Sequence, residues 1–543
     1  MRHGGRILID FLRARDVSRV FHVPGESFLA ALDALHDAGI DLVTARQEGG
    51  AAMMAEAHAK LTGEPGVAFV TRGPGAANAA AGVHVAMQDG TPMLLFVGDV
   101  ARAQAGRRAF QEVDFAAMWG ALAKHVETCR ETARLPEVAA RAWNAATSGR
   151  PGPAVVTLPE DMLAAEADAP DLAPARAIPP AAGTMPDAVD AFAARAERPL
   201  VIVGGGGMTE EASEALGLWA AHRDLPVAAA FRRQDHLDNR HPCYAGDLGT
   251  GMNPALARRL RGADALILLG AELGEIETSG YALVRPEAPP RIAQVHPGPS
   301  ERGRLWPADP FCAIHPSCLL PHMPKGGGPG PRAAAAHAEW KEWREGGASP
   351  GALRLENAIR HLSDALPEDA IVTNGAGNYA AWLHRHFVWK RPGTQGAPAS
   401  GSMGYGLPAA IAAALIHPAR EVVALAGDGC FQMTSQELAT AAQHGAGLVL
   451  IVVDNGRYGT IRMHQEMRYP ARRAGTDLRN PDFVALARAH GGEGWRVEAD
   501  GAFPEALEGA RATARAGRVG LIHLIQDPEA LTTSRTLSEV RGG

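Results

Sequence analysis

The sequence predicts an α/β protein built of three doubly wound parallel-sheet domains. Short apolar runs of strand length recur along the whole chain, and stretches rich in Ala and Met with helical periodicity separate them. Two segments rich in Pro, Gly and Ala then divide the 543 residues into lengths that each suit one domain.

In residues 1–165 the runs at 19–23, 41–45, 67–71, 93–97 and 154–158 read as strands of a first doubly wound sheet. The stretch 165–185 has no periodicity and reads as a linker. A second unit, 185–323, opens on a strand at 198–203 and continues through 227–231, 265–269 and 292–295. The glycines Gly204 to Gly207 after its first strand lack the spacing of a dinucleotide fingerprint, so a tight strand-to-helix turn is favoured over a phosphate site. Residues 325–351 read as a second linker with one charged helical piece. The third unit, 352–535, has strands at 370–373, 421–426, 448–453 and 521–524 and a helical stretch at 435–444.

A hydrophobic content of 46% with 21% charged residues is that of an ordinary globular protein. The formal net charge of −7 gives neither a nucleic acid nor an anionic membrane surface any electrostatic attraction, so small ligands are expected. The five cysteines are odd in number and scattered, which points to a reducing compartment; Cys312, His315 and Cys318 lack a second ligand pair at zinc spacing. With no signal-peptide cleavage site and no apolar segment of spanning length, a cytoplasmic location is expected.

The most informative stretch is Gly427-Asp428-Gly429-Cys430 followed, across one helical and one strand segment, by Asp454-Asn455-Gly456-Arg457. Both turns come at the C-terminal end of a buried strand, where open α/β sheets bind ligands, so neighbouring strands would present Asp428 and Asn455 side by side. The Asp carboxylate, the Asn carbonyl and one backbone carbonyl, that of Arg457, are hard oxygen donors suited to Mg²⁺. Gly427 and Gly429 let a diphosphate approach the backbone, and amides from Gly429 and Cys430 onward would face it. The competing interpretation is a pair of tight turns in an ordinary sheet.

This pairing, GDG and DN with 24 residues between them, resembles the diphosphate-binding motif of thiamine diphosphate enzymes. The resemblance extends over nearly the whole chain and is nearest to the acetolactate synthase catalytic subunit. It implies thiamine diphosphate and Mg²⁺ as cofactors, a first domain for the pyrimidine, a middle domain, and a third for the diphosphate. By the same resemblance Glu48, in Arg46-Gln47-Glu48-Gly49-Gly50, is the glutamate that activates the cofactor through the pyrimidine N1′. On its own Glu48 is a first-turn dipole partner. Met403 matches the bulky side chain that bends the cofactor, Pro74 and Asn78 a turn beside it, and Gly25 a loop facing the reacting carbon. Gln111 and Lys124 correspond to substrate-channel residues; in isolation they are solvated surface groups. A homodimer or homotetramer with active sites at the interface follows from the same resemblance.

Two features depart from acetolactate synthase. The segment 271–276, Ala-Glu-Leu-Gly-Glu-Ile, lacks the cationic residues that in that family help hold FAD and grip the second keto acid, which counts against FAD. His464 stands where the family has a tryptophan, and reads either as a proton relay or as a plain loop histidine. The expected function is therefore a 2-keto acid decarboxylase or carboligase. The alternatives are an authentic acetolactate synthase of branched-chain amino acid synthesis and, from another class, a non-catalytic thiamine diphosphate- or nucleotide-binding protein. The full set Glu48, Met403, Asp428 and Asn455 speaks against the last, since binding alone needs no activating glutamate.

Overall fold

The computed structural model describes residues 1–173 and 185–542, which form two compact units. Of the expected linker at 165–185, residues 174–184 lie outside the described residues, while Glu166–Ala167 departs from a linker by pairing antiparallel with Arg2–His3. One unit holds the N-terminal sheet together with Ile411–Ile416 and Thr434–His444; the other holds the middle and C-terminal sheets.

The N-terminal sheet consists of β1 (Arg19–His22), β2 (Asp41–Thr44), β3 (Gly66–Val70), β4 (Met93–Asp99), β5 (His125–Thr128) and β6 (Pro153–Pro159). All are parallel, in the order β2-β1-β3-β4-β6-β5. The central strands β3, β4 and β6 are buried on both faces, which is why they read as unbroken apolar runs. Helix α1 (Glu48–Thr62) follows β2, and α2 (Pro74–Asp89), with Pro at its first position, follows β3.

The middle sheet comprises β7 (Pro199–Val203), β8 (Val227–Ala229), β9 (Tyr244–Asp247), β10 (Ala265–Leu269), β11 (Arg291–Val295) and β12 (Ala308–Cys312), in the order β9-β8-β7-β10-β11-β12. This is the doubly wound 3-2-1-4-5-6 pattern. The charged helical piece expected in the second linker is a helix at Pro331–Glu345 that docks on this sheet: His337 Nδ1 lies 2.9 Å from the Tyr244 carbonyl, and Trp340 packs edge-on against the Tyr244 ring.

The C-terminal sheet contains β13 (Ile371–Asn374), β14 (Gln395–Gly396), β15 (Val422–Gly427), β16 (Leu448–Asp454), β17 (Glu493–Val497) and β18 (Val519–Ile525), in the order β14-β13-β15-β16-β18-β17. Relative to chain order this matches the N-terminal sheet strand for strand. The helices that bear on the site are α3 (Asp428–Gln432), a single short turn after β15, and α4 (Gly459–Arg468) after β16. Among the described residues no helix is long and apolar enough to cross a membrane.

Candidate active site

In the C-terminal sheet the chain leaves β13 toward β14 on one side and returns to β15 on the other, so a crevice opens between the carboxyl ends of β13 and β15. The loop Ala376 to Tyr379 forms one wall and Asp428 the other. Gly427 pairs with Val453 on β16, which sets Asp428 beside Asp454 and Asn455. Asp428 is 3% exposed. Its Oδ1 accepts the Gly429 N–H at 2.9 Å, and its Oδ2 accepts from Asn480 Nδ2 at 2.8 Å. The same Asn480 amide donates to Asp454 Oδ1 at 2.8 Å. Asp454 also accepts the Gly456 N–H and, at 2.8 Å, a hydrogen bond from His523 Nε2.

Burial pushes the Asp428 carboxyl up to about 6, and the neighbouring Asp454 charge adds to this. Burial acts the same way on Asp454, but the hydrogen bond and charge of His523 win and hold it below the usual carboxylate range. The cleft therefore carries buried negative charge that a divalent cation would offset. Asn455 and Arg457 line the same cleft, so the donors are all hard oxygens once the Arg457 carbonyl is counted. Gln526, 4% exposed, also lines it, and its Nε2 has no partner among the described residues. An oxygen-ligated cation with an anionic group beside it fits these residues.

Met403 sits on a tight turn between Gly401 and Gly404, whose φ angles of 66° and 81° suit glycine. That turn is tied to α3, because Gly404 N–H points at Cys430 Sγ at 3.2 Å and Tyr379 donates its hydroxyl to the same sulfur at 3.3 Å. Gly427 and Gly429 have a second task beside that expected from sequence. A Cβ on Gly427 would stand 2.8 Å from the Tyr379 ring, and one on Gly429 would stand 2.5 Å from the Tyr458 ring. The Gly429 N–H is itself engaged by Asp428.

The N-terminal sheet has its own switch point between β1 and β3. Gly25 follows β1 and presses on Thr71 after β3, where a Cβ would meet the Thr71 Cβ at 2.4 Å. Glu48 begins α1 at 9% exposure, and its Oε2 accepts from Asn78 Nδ2 on α2 at 2.9 Å. Its Oε1 lies beside Gly75, whose missing Cβ, placed 3.1 Å away, keeps that space open. Gln111, with φ of 62°, packs on Gly73 at the same edge. Pro74, Asn78, Gly25, Gln111 and Glu48 thus share the carboxyl edge of the sheet. Lys124 does not: it precedes β5 at the amino edge, where its Nζ donates to the Ser148 carbonyl at 2.5 Å and burial lowers its pKa. His464 is exposed on α4, one turn from Ile461, which lines the cleft of the C-terminal sheet.

Comparison with known proteins accounts for this arrangement. Residues 2–118 match the N-terminal TPP binding domain of thiamine pyrophosphate enzymes, 187–315 their central domain and 375–523 their C-terminal TPP binding domain. The acetolactate synthase isozyme 2 large subunit of Escherichia coli (strain K12) is 32% identical over 504 residues, 91% of each chain. The chain belongs to the thiamine pyrophosphate enzymes. Further relatives are the acetolactate synthase large subunit of Parasynechococcus marenigrum (strain WH8102), 31% identical over 91% of this chain and 83% of its own, and the acetolactate synthase of Mycobacterium leprae (strain TN), 30% identical over 94% and 85%. This thiamine pyrophosphate enzyme, related to acetolactate synthase large subunits, makes or breaks a carbon–carbon bond.

Sequence reasoning passed over four residues of these two candidate sites. Asn480 and Gln526 carry no motif. His523 sits in the apolar run of β18, where a single histidine reads as core. Glu437, fully buried, accepts the Arg46 N–H at 3.2 Å just ahead of α1, and its cue was a carboxylate facing inward at the start of an apolar helical stretch.

Proposed function

We propose that the enzyme decarboxylates a 2-keto acid and either releases the aldehyde or joins the remaining fragment to an acceptor. The observation that carries this reading is Glu48: buried, held through one oxygen by Asn78, and open at the other beside Gly75. A carboxylate so arranged has one oxygen left to share a proton with a ring nitrogen, and a molecule that only bound the cofactor would have no use for it.

When bound, thiamine diphosphate supplies the electron sink for cleavage next to a carbonyl. The chain's own residues bind, orient and transfer protons. The side chains of Asp428 and Asn455 with the Arg457 carbonyl would hold Mg²⁺, and Gln526 would meet an anionic oxygen next to it. Met403, fixed by the Cys430 contacts, would prop the cofactor's rings. Glu48 would take and return a proton at Oε1. Gly25 and Gln111 would border the substrate.

Authentic acetolactate synthase activity is the second reading, supported by the names of the relatives. Against it, segment 271–276 has no cation, and His464 stands where the resemblance puts a tryptophan. The reading includes no flavin. At the switch point of the middle sheet, Val203 bridges Gly270, and the carbonyls of Gly205, Gly206 and Gly207 accept from Arg233 Nε, His315 and Ser317, as in the tight turn expected there. The working form is read as a homodimer or homotetramer.

The deciding experiment incubates the enzyme with thiamine diphosphate, Mg²⁺ and a panel of 2-keto acids, with products followed by NMR. An aldehyde or a ketol other than acetolactate is expected; acetolactate from pyruvate would establish the second reading, and no turnover of any keto acid would overturn both. Absence of flavin absorbance in protein purified from flavin-replete cells is the companion expectation.

A further inference from the structure

We infer that Asn480, directly, and His523, through Asp454, are positioning residues that set the metal-binding carboxylate of Asp428. The inference rests on the reading of Asp428 as a ligand of the Mg²⁺–diphosphate group.

The geometry is that of a relay across three neighbouring strands. His523 on β18 donates from Nε2 to Asp454 Oδ2 at 2.8 Å, at the end of β16. Asp454 Oδ1 takes two more donors, the Gly456 N–H at 2.9 Å and Asn480 Nδ2 at 2.8 Å. With three donors on its two oxygens, Asp454 serves as an anchor. Asn480 then spends the second hydrogen of the same amide on Asp428 Oδ2 at 2.8 Å. One planar NH₂ group thereby stands between two carboxylates, with one hydrogen for each.

The amide has only one workable orientation. Gln432 Nε2 donates to Asn480 Oδ1 at 2.9 Å, and a flipped amide would face two carboxylates with its oxygen. His523 is equally fixed: it is 3% exposed, and Phe483 packs edge-on against its ring at 5.0 Å, backed by Phe431 at 5.4 Å. Neither Asn480 nor His523 is among the residues lining the cleft. Their part is to aim Asp428. Outer partners of metal-ligating groups typically account for 10- to 100-fold in metal affinity.

The test titrates thiamine diphosphate into the full-length protein by calorimetry at a series of Mg²⁺ concentrations, for wild type, Asn480→Leu, Asn480→Ser, His523→Leu and His523→Gln. In Asn480→Leu the Mg²⁺ needed for half-maximal cofactor binding should rise roughly 10- to 100-fold, with binding recovered at saturating Mg²⁺. His523→Leu should show a smaller rise, and His523→Gln, which keeps a donor near Nε2, should return toward wild type. Asn480→Ser, smaller and polar, carries the test if the Leu variant does not fold. A merely structural role predicts the opposite pattern: a lower melting temperature of the metal-free protein with the Mg²⁺ requirement unmoved, and that result would overturn the inference. If wild type itself binds no thiamine diphosphate at any Mg²⁺ concentration, the reading of Asp428 fails first and the inference falls with it.

Discussion

At Glu48 a single amide hydrogen bond and a missing Cβ leave one carboxylate oxygen in reserve. Glu48→Gln should keep thiamine diphosphate bound and lower turnover by roughly 10²- to 10⁴-fold, the scale for losing a proton-transfer group; full activity in steady-state assays would refute its role. Asp428→Ala should remove Mg²⁺-dependent cofactor affinity, and calorimetry showing unchanged binding would move the metal elsewhere. Both residues stand out in the sequence because Glu48 opens an apolar helix, Asp428 follows an apolar strand, and GDG and DN stand at a telling distance. Asn480 and His523 were not. They lie 52 residues beyond Asp428 and 69 beyond Asp454 in the chain, and only folding brings them together. Lys124 illustrates the converse: its local sequence says nothing of which edge of the sheet it will occupy, and only the strand that follows it settles that.

Strands were legible in proportion to their burial. β3, β4, β10, β15 and β16 have both faces covered and announce themselves as apolar runs. The edge strands β5 (His-Val-Glu-Thr), β12 (Ala-Asp-Pro-Phe-Cys) and β17 (Glu-Gly-Trp-Arg-Val) went unread, since one open side admits polar residues and leaves no period to detect, while β9 (Tyr-Ala-Gly-Asp), though mostly buried, is too short to show one. Helix α1 shows a similar limit. Its entry is governed by Glu437, nearly four hundred positions further along the chain, whose carboxylate accepts the Arg46 N–H and the Thr440 hydroxyl. Burial raises the pKa of Glu437, so the group is costly to leave without those donors. Glu437→Ala should destabilise the protein by about 1–3 kcal/mol, the cost of stranding buried donors, as read by urea unfolding. It should also lower turnover more than cofactor affinity, because the residue it loosens is the start of the Glu48 helix.

For the molecule as a whole, two buried histidines make an acid-sensitive contribution to stability, which the raised carboxyls of Asp428 and Asp247 oppose over the same pH range. Burial lowers His22 to about 4, and burial with the Arg360 and Arg385 charges lowers His386 to about 3. Each stays neutral when folded but takes a proton near its ordinary value when unfolded. Their contribution is therefore intact above pH 6.5 and lost as pH falls toward 4, at about 2 kcal/mol each between pH 7 and 5. Equilibrium unfolding of wild type and His22→Gln at the two pH values checks this: the variant should lose less stability on acidification. If the active unit is a homodimer with shared sites, mixing the inactive Glu48→Gln and Asp428→Ala proteins should restore about a quarter of wild-type activity by statistical exchange of subunits. No recovery would mean that each site is completed within one chain. A last consequence concerns cutting the protein. The open side of edge strand β14 is sealed by the middle domain: the Asp235 carboxylate accepts the Thr394 and Gln395 N–H groups at 3.1 and 3.2 Å, and Asn239 exchanges hydrogen bonds with the Trp389 backbone. A fragment begun at residue 352 would bare that side and self-associate, whereas one begun at residue 185 would keep its seal, so chimeras that trade the diphosphate half between relatives should carry the middle domain along as a passenger.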